Sequence, residues 1–131
     1  MKKDINFHKA EGVYVVAIKE WDKEFLAQDW NVYVVNNSEK ILETVLVVSR
    51  GRSTDKKTST LRFNLKNLQP QEFKKIEFIT EEVLSFTNEY LLTYFSEDKL
   101  FERSFVFEPF SISEENMVTL PVLDTEGIIA K

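Results

Sequence analysis

In LRFNLK, residues 61–66, apolar and polar side chains alternate without a break. Leu61, Phe63 and Leu65 fall on one side of an extended chain, and Arg62, Asn64 and Lys66 on the other. That is the period of a half-buried β-strand. The same pattern spreads outward from it. Downstream, LKNLQPQ (65–71) reads as a corner, because Pro70 bars a central strand. EFKKIEFI (72–79) resumes the alternation, and EEVLSF (81–86) reads as a short helical turn or an irregular strand. EYLLTYF (89–95) and KLFERSFVFE (99–108) flank a Ser-Glu-Asp turn as a hairpin, with Phe101, Phe105 and Phe107 on one face interrupted by Arg103. SISEEN (111–116) has the Ser-x-x-Glu spacing of a capping box and predicts one helical turn, and VTLPVL supplies a last strand.

Upstream, ILETVLVVS (41–49) is apolar on both faces toward its end, as in a covered central strand. WNVYVVNN (30–37) and VYVVAIKE (13–20) are strands whose shared VYVV predicts similar burial and not an internal repeat. WDKEFLAQ (21–28) is open to two readings: its apolar residues alternate, yet Trp21 and Phe25 also stand at helical spacing. Seven to nine strands with short connections, and no crossover helices of about 10–15 residues, predict antiparallel pairing. The expected fold is all-β with minor helix, an antiparallel two-sheet, immunoglobulin-like sandwich. A closed β-barrel is the alternative. The 131 residues form one domain, with residues 1–12 expected to be frayed.

Composition removes much chemistry. With no cysteine there are no disulfides, thiolate nucleophiles or Cys-ligated metals, and the balance tilts toward the cytoplasm. MKKDINFHKAEG has no apolar stretch after its lysines, so no signal peptide is expected, and no apolar run approaches the roughly 20 residues of a membrane span. His8, the only histidine, lies in the segment expected to fray, where it cannot be held between a nucleophile and an orienting group. Three scattered glycines form no phosphate loop. The acid pairs Glu81-Glu82, Glu97-Asp98 and Glu114-Glu115 sit at turns, where solvated acids are usual. DTEG (124–127) shares a fragment of a calcium loop but lacks its other ligand positions. Asn36-Asn37-Ser38 matches a glycosylation acceptor, yet turn chemistry explains it. The expectation is no enzyme, no cofactor and no metal.

Two groups remain. SRGRSTDKKTST (49–60) sets Arg50, Arg52, Lys56 and Lys57 against Asp55 alone, as a grip for a polyanion or as a solvated loop. No aromatic residue lies within it to stack on a base, and the whole chain carries a net charge of −5. Residues 97–131, with eight acids and three bases, account for that net charge. Trp21, Phe25 and Trp30 form the second group, to stack on a base or sugar, to anchor a partner, or as core or edge packing.

EWDKEFLAQDWNVYVVNN, DKKTSTLRF and KLFERSFVFE, in this order, resemble a group of short uncharacterised bacterial proteins often labelled phenylalanyl-tRNA synthetase alpha subunit. The resemblance runs over nearly the whole chain and rests on strand-forming stretches. A synthetase of that class has a large catalytic domain with ATP-holding arginines and a glycine-rich strand–helix element, and this chain has neither, so no functional residue carries over. The expected function is non-catalytic binding: protein interaction or assembly, including self-association through a sheet edge. RNA or polyanion binding through residues 50–57 is the alternative, and membrane partners are not expected.

Overall fold

A computed structural model describes residues 8–131. In chain order the strands are β1 (His8–Lys9), β2 (Val13–Trp21), β3 (Gln28–Asn36), β4 (Leu42–Arg52), β5 (Leu61–Leu68), β6 (Phe73–Ile79), β7 (Thr87–Ser96), β8 (Lys99–Phe107), β9 (Val118–Thr119) and β10 (Glu126–Ile129). Among the described residues, two short 3₁₀ turns, Glu81–Ser85 and Glu114–Asn116, are the helical content. The strands make two five-stranded sheets, ordered β1-β8-β7-β4-β5 and β6-β3-β2-β10-β9. All pairs are antiparallel except β1 with β8. The chain is all-β, and neither sheet closes on itself, which removes the barrel alternative. Among the described residues, no helix is long and apolar enough to cross a membrane.

Residues 1–7 of the expected frayed segment lie outside the described residues. Within 8–12, His8 and Lys9 pair with Phe101 and Glu102, and Ala10 is buried. The main core fills the space between the sheets. Val13, Val15, Val32 and Val34 of the second sheet meet Val47, Tyr90, Leu92, Phe105 and Phe107 of the first. A smaller cluster lies on the outer face of the second sheet, where Leu120 covers Val16, Ile18 and Val35. VYVVAI is therefore apolar at every position because both of its faces are covered. β4 is central as expected, between β5 and β7, but its outer face is open: Leu46 is 41% exposed.

The two VYVV stretches pair with each other across the β2–β3 hairpin. WDKEFLAQ is neither helix nor strand throughout: Trp21 ends β2, Gln28 begins β3, and residues 22–27 are the loop between them. The corner at Pro70 and the turn at Glu97-Asp98 stand where the sequence puts them. Both turn acids adopt positive φ, 52° and 66°, as a tight hairpin requires. The capping box does not form. The turn begins after Ser113, which makes no side-chain cap, while Ser111 Oγ is buried without a partner. Asn116 Nδ2 ties this segment instead, donating to the Ser111 carbonyl and to Ser113 Oγ. Gly127 of DTEG lies in β10, where a Cβ would run into the Ala17 carbonyl. Close approach of β10 to β2 explains this glycine without a metal.

Candidate functional site

Strand registers bring the two sequence-nominated groups to one end of the molecule. Trp21 pairs with Gln28 beside the β2–β3 loop, and Trp30 pairs with Ile79 near the end of β6. Arg52 pairs with Thr87 and Asn88 with Phe107 at the same end of the first sheet. The 3₁₀ turn Glu81–Ser85 joins β6 to β7 there, linking the sheets across this end.

The aromatic group divides. Trp21, Phe25 and Leu26 are 55%, 73% and 77% exposed, and the Trp21 and Phe25 rings lie 6.5 Å apart. Trp30 is only 7% exposed, lies in the main core, and has Lys19 Nζ 6.0 Å from its ring centre. Its side chain shares the inward face with Val32 and Val34, so it cannot anchor a partner. The loop that carries Phe25 and Leu26 is well tied. Asp22 Oδ1 accepts from the Glu24 and Leu26 amides at 3.1 and 3.0 Å. The Asp22 amide donates to Ala27 and its carbonyl accepts from the Phe25 amide. Phe25 adopts a φ of 57°, a conformation unfavourable for a bulky residue, and this network holds it there.

The basic stretch is less of a loop than its composition implies. Arg50, Gly51 and Arg52 belong to β4, and only residues 53–60 connect to β5. Ser53 N donates to the Lys56 carbonyl at 2.7 Å, and Lys56 N to Ser53 Oγ, closing a tight turn. Gly51 N donates to Thr58 Oγ1, and Thr58 N to the Gly51 carbonyl, both at 2.8 Å. Arg50 Nε meets Glu89 Oε1 at 3.1 Å, with Arg52 3.9 Å from the same oxygen. Lys56 lies 4.0 Å from Glu82. With Asp55 in the turn, the four cations face three acids, Asp55, Glu82 and Glu89, leaving a local net of about one charge. Ser104 Oγ also donates to Glu89, and this bond, ahead of the two arginines, holds the Glu89 carboxyl below its ordinary range.

A cleft of about 170 Å³ opens between the β5 and β6 edges beneath the basic turn. Leu61, Ile79 and Val83 supply apolar wall, and Glu77, Asn88 and Tyr90 supply polar groups. Tyr90 donates to Glu77 Oε2 at 2.8 Å, and burial, with the carboxylate second, raises the pKa of its hydroxyl. Asn88 Nδ2 donates to the carbonyls of Val83 and Phe86, fixing the 3₁₀ turn against β7. None of these residues stood out in the sequence, because a glutamate on β6 and an asparagine and a tyrosine on β7 make no local motif. At the opposite end, Asn36 of the glycosylation match is fully buried. Its Nδ2 donates to Lys40, Leu68 and Gln69 carbonyls, so it is a structural fastener and no glycan acceptor.

Searches against protein-family models, curated proteins and solved structures match nothing.

Proposed function

We propose that the protein is a non-catalytic interaction module that binds another protein through the loop end bearing Trp21, Phe25 and Leu26. One observation carries the reading: a hydrogen-bonded loop holds Phe25 and Leu26 in water beside the exposed Trp21 at the end of β2, with Phe25 at unfavourable φ. Exposed aromatic anchors on a rigid support are what protein contacts use, since little side-chain entropy is lost on binding. Three of the four sheet edges serve this purpose poorly here. β1 and β9 are two residues long. β6 points two charges inward, Glu77 toward Tyr90 and Lys74 toward the β5 edge, where its Nζ bonds the Leu65 and Asn67 carbonyls. Short edges and inward charges disfavour strand addition.

Polyanion binding is the weaker reading, because acids already face the cations of the basic turn. Two sheets over one core, antiparallel except for β1 with β8, support the reading of an immunoglobulin-like sandwich. The lack of cysteine supports a cytoplasmic location. The resemblance to the short bacterial proteins supplies no residue and no activity. Tagged protein recovered from its native host should carry a protein partner that survives nuclease treatment. The Phe25→Ser, Leu26→Ser variant should lose that partner while keeping its fold. Retention of the partner by the variant, or its loss with nuclease alone, would remove this reading.

A further inference from the structure

We propose that the outer face of the first sheet packs against the same face of a second copy of this chain. The two sheets differ in how their outer faces are finished. That of the second sheet is covered by its own chain through Leu120, Val122 and Leu123. That of the first carries no such cover, and Leu46 and Phe95 are 41% and 42% exposed on it. Cross-strand registers arrange the face in rows. Arg62, Val48, Leu91 and Ser104 stand side by side across β5, β4, β7 and β8. Asn64, Leu46, Thr93 and Glu102 make the next row, and Phe95 stands opposite Leu100 beyond it. The middle is thus aliphatic and aromatic apart from Thr93. The β4–β5 side carries Arg50, Arg52 and Arg62 with Glu43 as its acid, while the β7–β8 side carries Glu89 and Glu102.

That layout fits its own reverse. A two-fold axis parallel to the strands reverses each row while keeping its level along the strand. Val48 of one copy then meets Leu91 of the second copy, and Asn64 meets Glu102 of the second copy. Arg62 lands on Ser104 of the second copy, with Glu102 of that copy diagonally within reach of a long side chain. An in-plane axis across the strands would stack β5 on β5 and part Arg62 from Glu102 of the second copy, so that pair selects the first arrangement. Such an isologous contact closes at two copies. Strand spacing of about 4.8 Å and a rise of about 3.4 Å per residue give the face a flat area of roughly 500 Å². Standard interfaces bury about 800 Å² per partner, so the dimer should be reversible and concentration-dependent.

Sedimentation velocity on the intact protein across a concentration series tests this. Wild type should pass from monomer to dimer, and Leu91→Lys should remain monomeric throughout. Arg62→Glu and Glu102→Arg should each weaken association by roughly tenfold. The two together should restore it, because each new charge again meets its opposite on the second copy. If Leu91→Lys fails to fold, the charge-swap set still decides. Wild type that stays monomeric to about 1 mM, the weak end of measurable association, overturns the proposal. So does a double swap that fails to recover dimerisation, or a dimer that all these variants retain. Phe25→Ser lies off this face and should dimerise like wild type, which separates this result from the fate of the loop-end reading.

Discussion

Gly51→Ala should destabilise the protein, although Gly51 lies in a stretch that looks like a flexible basic loop. Its φ is not positive, so conformational freedom is not why glycine is there. Space is the reason. A Cβ at this position would sit 2.7 Å from Asn88 Oδ1 and 3.3 Å from Thr58 Cγ2. Asn88 cannot swing away cheaply, because its Nδ2 holds the Val83 and Phe86 carbonyls at 3.0 and 3.3 Å. Moving it forfeits two hydrogen bonds, each worth about 0.5–1.5 kcal/mol, and staying put incurs overpacking of about 1–3 kcal/mol. Replacing glycine in a strand returns about 0.5–1 kcal/mol. The expected net loss is about 1–2 kcal/mol, read from the midpoint of urea unfolding at unchanged slope. In an Asn88→Ala background the clash partner is gone, and Gly51→Ala should be close to neutral. A change within about ±0.5 kcal/mol in the wild-type background, or no relief in the Asn88→Ala background, would refute the packing argument.

Three further outcomes are expected. Asn36→Ala should lower stability by roughly 2–4 kcal/mol in urea unfolding, since three carbonyls at the β3–β4 and β5–β6 connections lose their donor. The Lys56→Ala, Lys57→Ala double variant should bind RNA no differently from wild type and move stability by no more than about ±0.5 kcal/mol; a fall of about 2 in the logarithmic salt slope would revive the polyanion reading. Burial, with Glu20 beside Tyr33 and Glu11 beside Tyr94, raises both hydroxyls to about 12 from the ordinary 10.0. A raised folded value favours the neutral form, so this stabilisation is full below about pH 10 and is lost as pH rises through about 12. Urea midpoints should fall across that window, and ultraviolet titration should show delayed tyrosine ionisation; flat midpoints would contradict the assigned burial.

Strand positions were legible because LRFNLK, EYLLTYF and VYVVAIKE alternate or saturate with apolar residues, a signal that survives without tertiary information. Pro70 and the Ser-Glu-Asp turn were legible for the same local reason. The fate of WDKEFLAQ was not, because Trp21 and Phe25 fit both periods and the Asp22 hydrogen bonds that settle it are invisible in composition. Trp30 and Trp21 look alike in sequence. Only the packing of the first sheet against the inner end of β3 buries one and leaves the other in water. The basic stretch misled through its composition: the acids that face it lie far along the chain, Glu89 arriving through β4–β7 pairing and Glu82 on the 3₁₀ turn before β7. Glu77 and Tyr90 were beyond reach because they meet only where the two sheets pack, β6 belonging to one and β7 to the other.

The loop-end reading is tested most directly by a photo-crosslinking residue placed at position 25, compared with one at position 57, in the native host. Expected is a discrete protein adduct from position 25 that nuclease does not alter, with none from position 57. An adduct only from position 57, sensitive to nuclease, or no protein adduct at position 25, would contradict it.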